Sequence, residues 1–238
     1  MGASDLLSNL IQQCRQLYSK LLPIPCQLCG AYSQVVICTD CQHNFPTLGH
    51  ACPRCATPMS QEHQCGQCLN HPPEQDLSLS LFPYTDPIDR LIIDFKYHDK
   101  LYLSPFFAEH MAQRVQQQSL PDCLVPIPLH PRRLRQRGYN QSVELSKALS
   151  QRLAIPYQHL LIRTRDTPPQ ASLPYADRKH NIRSAFELAD IDSIPPHIAL
   201  IDDVLTTGHT VNAAAKLLRQ AGATTIEVWT IARTLQHP

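Results

Sequence analysis

A chain of 238 residues is long enough to bury one medium domain and a small one beside it. A net charge of +1 with 17% charged residues describes an ordinary soluble protein, without the overall excess of a nucleic-acid-coating or strongly acidic chain. No run approaches the roughly 20 apolar residues of a membrane span, and Met1–Leu22 lacks the continuous apolar core of a signal peptide. The expected location is therefore cytoplasmic, where thiols stay reduced. The even total hides an asymmetry: Pro126–Ala185 holds eleven Lys/Arg against Glu144, Asp166 and Asp177, a local net of +8, so the remainder sums to −7. A basic middle in an otherwise acidic chain points to an anionic ligand.

The spacing of Leu6, Leu7, Leu10, Ile11, Leu17 and Leu21 predicts an amphipathic helix over residues 4–22, ended by Pro23 and Pro25, its apolar face packed on its own protein. Four Cys-x-x-Cys pairs follow: Cys26/Cys29, Cys38/Cys41, Cys52/Cys55 and Cys65/Cys68. Each pair offers two thiolates to one ion, and four thiolates close a tetrahedral zinc site. Residues 23–73 are so poor in apolar side chains that metal must hold them together. Eight cysteines thus imply a double zinc ribbon with two structural zinc ions. Two pairings satisfy the spacing: sequential (26/29/38/41 with 52/55/65/68) or cross-braced, first pair with third. The ribbon carries only Arg54 against Asp40 and Glu62, and zinc–thiolate sites add negative charge, so the footprint of a DNA-binding module is missing. A structural or docking role fits better. His43, His50, His63 and His71 read as surface residues, and the lone Cys14 and Cys123 as packing residues.

His71–Asp76 reads as a linker into a domain spanning 74–238. Leu77–Tyr84 alternates like a half-buried strand, Asp86–His98 and Leu101–Gln118 read as helices, and Cys123–Leu129 as a short strand bounded by prolines. Lys96 reads as a solvated helix-end lysine, with an anion contact as the alternative. The strand runs into HPRRLRQRGYNQ, where Arg132, Arg133, Arg135 and Arg137 form a candidate anion clamp, since guanidinium forks match phosphate oxygens. A helix follows, about Gln141 to Leu153. Residues 163–186 are polar, basic and aperiodic; such loops tend to be lids or binding loops.

The most informative stretch is Ile198–Val211, IALIDDVLTTGHTV. A short apolar run reads as a buried parallel strand, and it ends in Asp202 and Asp203 ahead of a hydroxyl- and glycine-rich turn and a helix. The turn suits a phosphate monoester, and the two carboxylates suit the vicinal hydroxyls of a ribose with Mg²⁺ nearby. With a closing helix near Val211–Ala221, a C-terminal glycine at Gly222 and a last strand Thr225–Ala232, the pattern is an α/β doubly wound parallel sheet.

This loop resembles the 5-phosphoribosyl-1-pyrophosphate (PRPP) loop of type I phosphoribosyltransferases. The wider order of Cys-x-x-Cys ribbons, FKY, PIPLHPRRLRQRGYNQ and LIDDVLTTGHT is similar to the ComF/ComFC competence family, including its GntX members, over nearly the whole chain. The resemblance implies a Rossmann-like phosphoribosyltransferase domain behind a zinc-ribbon module, and a part in natural transformation, DNA uptake and DNA utilisation, with handling of incoming single-stranded DNA in the cytosol. It implies that Asp202 and Asp203, the candidate catalytic pair, take the ribose hydroxyls, and that Thr206, Thr207, Gly208, His209 and Thr210 take the 5-phosphate. The RRLRQRGYNQ segment would face pyrophosphate, and a flexible loop would present Arg163, Gln170, Arg178 and Asn181. Three functions follow. One is a PRPP-binding protein of DNA uptake, whose basic face also meets single-stranded DNA, with Tyr139 and Tyr175 as stacking platforms and other DNA-uptake proteins as partners. The second is an active phosphoribosyltransferase with a base-binding strip near Ile231–Leu235. The third is a zinc-ribbon docking adaptor. The chain has no Walker A sequence and is no DNA motor by itself.

Overall fold

The computed structural model describes residues 22–61, 63–116, 119–165 and 185–235. The expected helix at 4–22 lies almost wholly outside them. The chain divides into two compact units, Met1–Phe45 and Pro46–Pro238. The division falls between the two halves of the cysteine-rich segment.

In the smaller unit, β1 (Ile24–Pro25) pairs antiparallel with β2 (Tyr32–Ser33), and a single turn of helix, α1 (Thr39–His43), follows. Among its described residues, Cys26, Ile37 and Phe45 are buried.

The larger unit begins with a loop, the short helix α2 (Gly66–Asn70) and then β3 (Leu77–Pro83). Helices α3 (Ile88–Tyr97) and α4 (Leu103–Val115) lead to β4 (Cys123–Pro126). Next come α5 (Pro131–Arg137) and α6 (Gln141–Leu153). A separate antiparallel pair, β5 (Leu161–Arg163) with β6 (Phe186–Leu188), precedes β7 (His197–Leu205), α7 (His209–Gln220) and β8 (Thr225–Arg233). The main sheet has the order β3-β8-β7-β4, with every neighbouring pair parallel.

Burial explains the apolar run in β7. Ile198, Ala199, Leu200 and Ile201 are all fully buried, because successive strand residues face opposite sides and this parallel sheet is covered on both. Ile198 and Leu200 join α7 residues Val211, Ala214, Ala215 and Leu218 in one apolar core. The segment before β3, expected to be a linker, is instead tied down. Gln75 is buried, and the Asp76 carboxylate accepts from the Ile226 N–H at 2.9 Å and from Arg219 at 2.7 Å. Ala56, from the loop ahead of β3, belongs to that same core. The second cysteine cluster is thus built into the body of the larger unit. Cys123 is buried, as a packing residue should be.

Since all four main strands run the same way, the C-terminal ends of β3, β4, β7 and β8 share one edge. That edge is where open α/β sheets hold ligands.

Candidate functional site

Asp202 and Asp203 sit near the end of β7, and the chain leaves the strand at Leu205. Gly208 adopts φ +78° and precedes the first residue of α7. A side chain there would be strained in the left-handed region, so glycine makes the sharp entry into the helix possible. The first-turn N–H groups of α7 therefore begin immediately after the threonine-rich turn, where Thr206 and Thr207 are exposed and His209 and Thr210 half-buried. The Thr207 hydroxyl lies 2.9 Å from His209 Nδ1. Hydroxyls, helix-start N–H groups and two carboxylates are thus brought to one place, an arrangement able to grip a phosphate at one end and a diol at the other.

Two adjacent carboxylates cannot both be buried without compensation. Asp203, 5% exposed, receives Lys96 Nζ at 2.7 Å on one oxygen and Gln141 Nε2 at 2.5 Å on the other. Lys96 is therefore not the solvated helix-end lysine expected from sequence. Burial pushes its pKa down, but Asp203 outweighs that and moves it up. Asp202, half-buried, accepts from Ser142 Oγ at 3.1 Å and from the Asp203 N–H at 2.9 Å. Burial, and then the charge on Asp203, pushes the Asp202 carboxyl up to about 7.

The partners of the acids explain the GYNQS motif. Gly138 ends α5 at φ +83°, where glycine is again needed. The Tyr139 hydroxyl donates to the Phe95 carbonyl. Tyr139 is thereby anchored against α3. Asn140 caps α6 through the Ser142 N–H at 3.0 Å and donates to the Ile127 carbonyl at 3.0 Å. That cap aims Gln141 and Ser142 at the acids.

The arginine run forms the short helix α5, unforeseen from the sequence. At 100° per residue, Arg133 and Arg137 share one side while Arg132 and Arg135 share another. Arg137 reaches Gln141 Oε1 at 2.5 Å and lies 4.7 Å over the exposed Tyr97 ring, one link from Asp203. Arg163 lies on β5 opposite Phe186, with its guanidinium 5.6 Å from that ring. The ladder brings the two ends of the 163–186 segment together. Gln170, Tyr175, Arg178 and Asn181 lie outside the described residues. In the strip expected to bind a base, Ile231, Ala232 and Arg233 are buried, leaving only Thr234 and Leu235 accessible. The Arg233 guanidinium donates to the carbonyls of Leu205, at 2.9 Å, and Thr206. Ser142 was not expected at the site; Gln141 ends the RRLRQRGYNQ segment and Arg233 lies in the 231–235 strip, but their contacts to Asp203 and to the turn carbonyls were not legible.

The cysteines group sequentially, Cys26, Cys29, Cys38 and Cys41 in one cluster and Cys52, Cys55, Cys65 and Cys68 in the other, with the sulfurs of each within 4.8 Å of one another. Cys29–Cys38 and Cys55–Cys65 approach to 3.7 and 3.6 Å. Those separations match the edge of a zinc–thiolate tetrahedron, about 3.8 Å for Zn–S bonds near 2.3 Å. N–H groups of Cys38 and Cys65 reach Cys26 Sγ and Cys52 Sγ at 3.3 Å each. Burial pushes Cys26 up, but backbone N–H groups outweigh it and hold the thiol at about 6; Cys52 is likewise held at about 7. These two favour the thiolate, whereas hydrogen bonds with Cys38 and Cys29 push Cys41 up to about 12 and burial pushes Cys55 and Cys68 up. His43, His50, His63 and His71 are exposed, and neither cluster needs them.

Residues 17–69 match the double zinc ribbon domain, and residues 140–237 the phosphoribosyl transferase domain. The chain is 36% identical over 210 residues to Competence protein F of Haemophilus influenzae, covering 83% of this chain and 90% of that protein. It belongs to the ComF competence-protein family. Among ComF relatives, DNA utilization protein YhgH of Escherichia coli K12 is 33% identical, with 90% of this chain and all of that protein covered. Competence protein ComFC of Streptococcus pneumoniae R6 is 26% identical, covering 87% and 99%. The parallel sheet is accordingly of the phosphoribosyltransferase type. No helix among the described residues is long and apolar enough to cross a membrane.

Two predictions follow from this geometry. Metal analysis of the purified chain gives two zinc ions per chain, and changing Cys26 and Cys29 together to Ser lowers the value to one. The second concerns pH. Asp202 keeps its proton up to about pH 7 when folded, whereas an unfolded carboxyl releases it near about pH 3.9. Between those values the folded state binds the extra proton, so stability falls as pH rises through that window and levels above it. Thermal melts of Asp202→Asn should lack this slope; parallel curves would contradict it.

Proposed function

We propose that this ComF-family chain binds Mg²⁺·PRPP at the end of β7 and serves DNA uptake and utilisation by handling single-stranded DNA in the cytosol. The observation carrying this reading is the run from two partnered carboxylates, through the glycine-broken turn, into the start of α7. The acids would accept hydrogen bonds from the ribose hydroxyls, and the turn would cradle the 5-phosphate. Magnesium would supply charge that balances pyrophosphate and the acids together. Lys96 and Arg137 are the nearby cations available to the pyrophosphate once the ligand competes for Asp203 and Gln141. The names of the Haemophilus and Escherichia relatives support the DNA role, as does the excess positive charge of residues 126–185.

Calorimetric titration tests the ligand. Mg²⁺·PRPP should bind the wild type and lose affinity by about a hundredfold or more when Asp202 and Asp203 are both changed to Ala, since two charge-assisted contacts go at once. Equal affinity in both proteins would sink the assignment. Pyrophosphate release with a panel of bases then separates binding from turnover, and an unimpaired double-Asp variant in transformation assays would favour the docking-adaptor role.

Single-stranded DNA should bind with a steep salt dependence. Replacing Arg132, Arg133, Arg135 and Arg137 by Ala should flatten the slope by about one per lost phosphate contact; an unchanged slope would remove α5 from the DNA face.

A further inference from the structure

The second cysteine cluster and the phosphate turn are joined by one side chain. Arg233 closes β8 and is only 3% exposed. Register opposes it to Leu205, the last residue of β7. Its guanidinium faces two ways. On the β7 side it donates to the carbonyls of Leu205 and Thr206, the two residues at which the strand becomes the turn. On the cysteine side, Nε donates to the Cys55 carbonyl at 2.9 Å and Nη2 to the Thr57 hydroxyl oxygen at 3.1 Å. Thr57 Oγ1 lies 3.2 Å from Cys55 Sγ. The Cys55 thiol is the donor in this contact; as a zinc-bound thiolate it would only accept, and the Thr57 hydroxyl, held by Arg233, would donate to the sulfur. Groups that hydrogen-bond a metal ligand set its orientation and the strength of the site.

A buried guanidinium needs both charge compensation and acceptors for its fork of N–H groups. A filled four-thiolate zinc cluster carries net negative charge, and the turn supplies carbonyls. Removing the metal would free the Cys55 backbone and withdraw that anchor from Arg233, leaving the turn's first carbonyls held by a less fixed donor. The first cluster belongs to the other compact unit.

We propose that Arg233 is a positioning residue through which the metal state of the second cysteine cluster sets the geometry of the phosphate turn. Zinc at Cys52, Cys55, Cys65 and Cys68 and a phosphorylated sugar at Thr206–Thr210 therefore strengthen each other's binding. This rests on the assignment of the turn to a sugar phosphate. Coupling between two sites is reciprocal, which gives a readout independent of any enzymatic turnover.

The test follows zinc release from the intact chain into a colorimetric chelator, alone, with ribose 5-phosphate and with Mg²⁺·PRPP. The expected result is that either ligand slows release of one of the two zinc ions several-fold and leaves the other unchanged. In Arg233→Lys, which keeps the charge but loses the fork, both zinc ions remain bound on purification. Mg²⁺·PRPP then binds about tenfold more weakly, a loss of about 1.4 kcal/mol, and no longer slows release. Wild-type chain that binds Mg²⁺·PRPP while both zinc ions leave at ligand-independent rates would overturn the coupling. So would Arg233→Lys with unaltered affinity. Absence of PRPP binding in the wild type would instead defeat the sugar-phosphate assignment, and the coupling with it. Should Arg233→Lys fail to fold, the wild-type release rates decide alone.

Discussion

Placing two carboxylates side by side at the end of a buried strand is the constraint from which the rest of the site follows. Neither can be left uncompensated, and the strand itself offers only the Asp203 N–H, which Asp202 takes. The remaining partners arrive from two helices, Lys96 from α3 and Gln141 and Ser142 from α6. The capped start of α6 and the anchored Tyr139 hold those two helices in register. Lys96 supplies the opposite charge that lets Asp203 be buried. An acidic tip without such a partner would carry its cost in every molecule lacking ligand.

Much of this was legible along the chain. Cysteine spacing marks two metal clusters because a knuckle is a local structure, and the β7 run reads correctly because burial on both faces leaves no polar position. What could not be read is what depends on distant pairing. The gaps between cysteine pairs are too similar to separate the sequential arrangement from a cross-braced one; only the folded positions of the sulfurs do so. Lys96 looks like any helix-end lysine until its partner across the fold is known. Arg233 sits in a strand end that reads as accessible, yet its guanidinium turns inward to cap carbonyls of β7. The arginine run hid a helix because four charges in six residues carry no apolar period, while the His130 cap and the Gly138 stop frame α5.

The two clusters, similar in spacing, have different surroundings. The first stands in the smaller unit, where Cys26 is buried alongside Ile37 and Phe45. The second shares core residues with β7 and α7 through Ala56 and hydrogen bonds with β8 through Arg233. A double ribbon in sequence is thus split by packing, one half a separate unit and the other a buttress of the sheet edge where the acids lie. That edge has two supports, helices α3 and α6 on the acids and the second cluster behind the turn.

Whether the end of β7 cradles a phosphorylated sugar is decided by a crystal structure of the chain grown with Mg²⁺·PRPP. Ribose hydroxyls are expected on Asp202 and Asp203, the 5-phosphate against the N–H groups of residues 207–210, and Lys96 withdrawn from Asp203. An empty turn with the Lys96–Asp203 contact intact, at saturating ligand, would contradict the sugar-phosphate assignment.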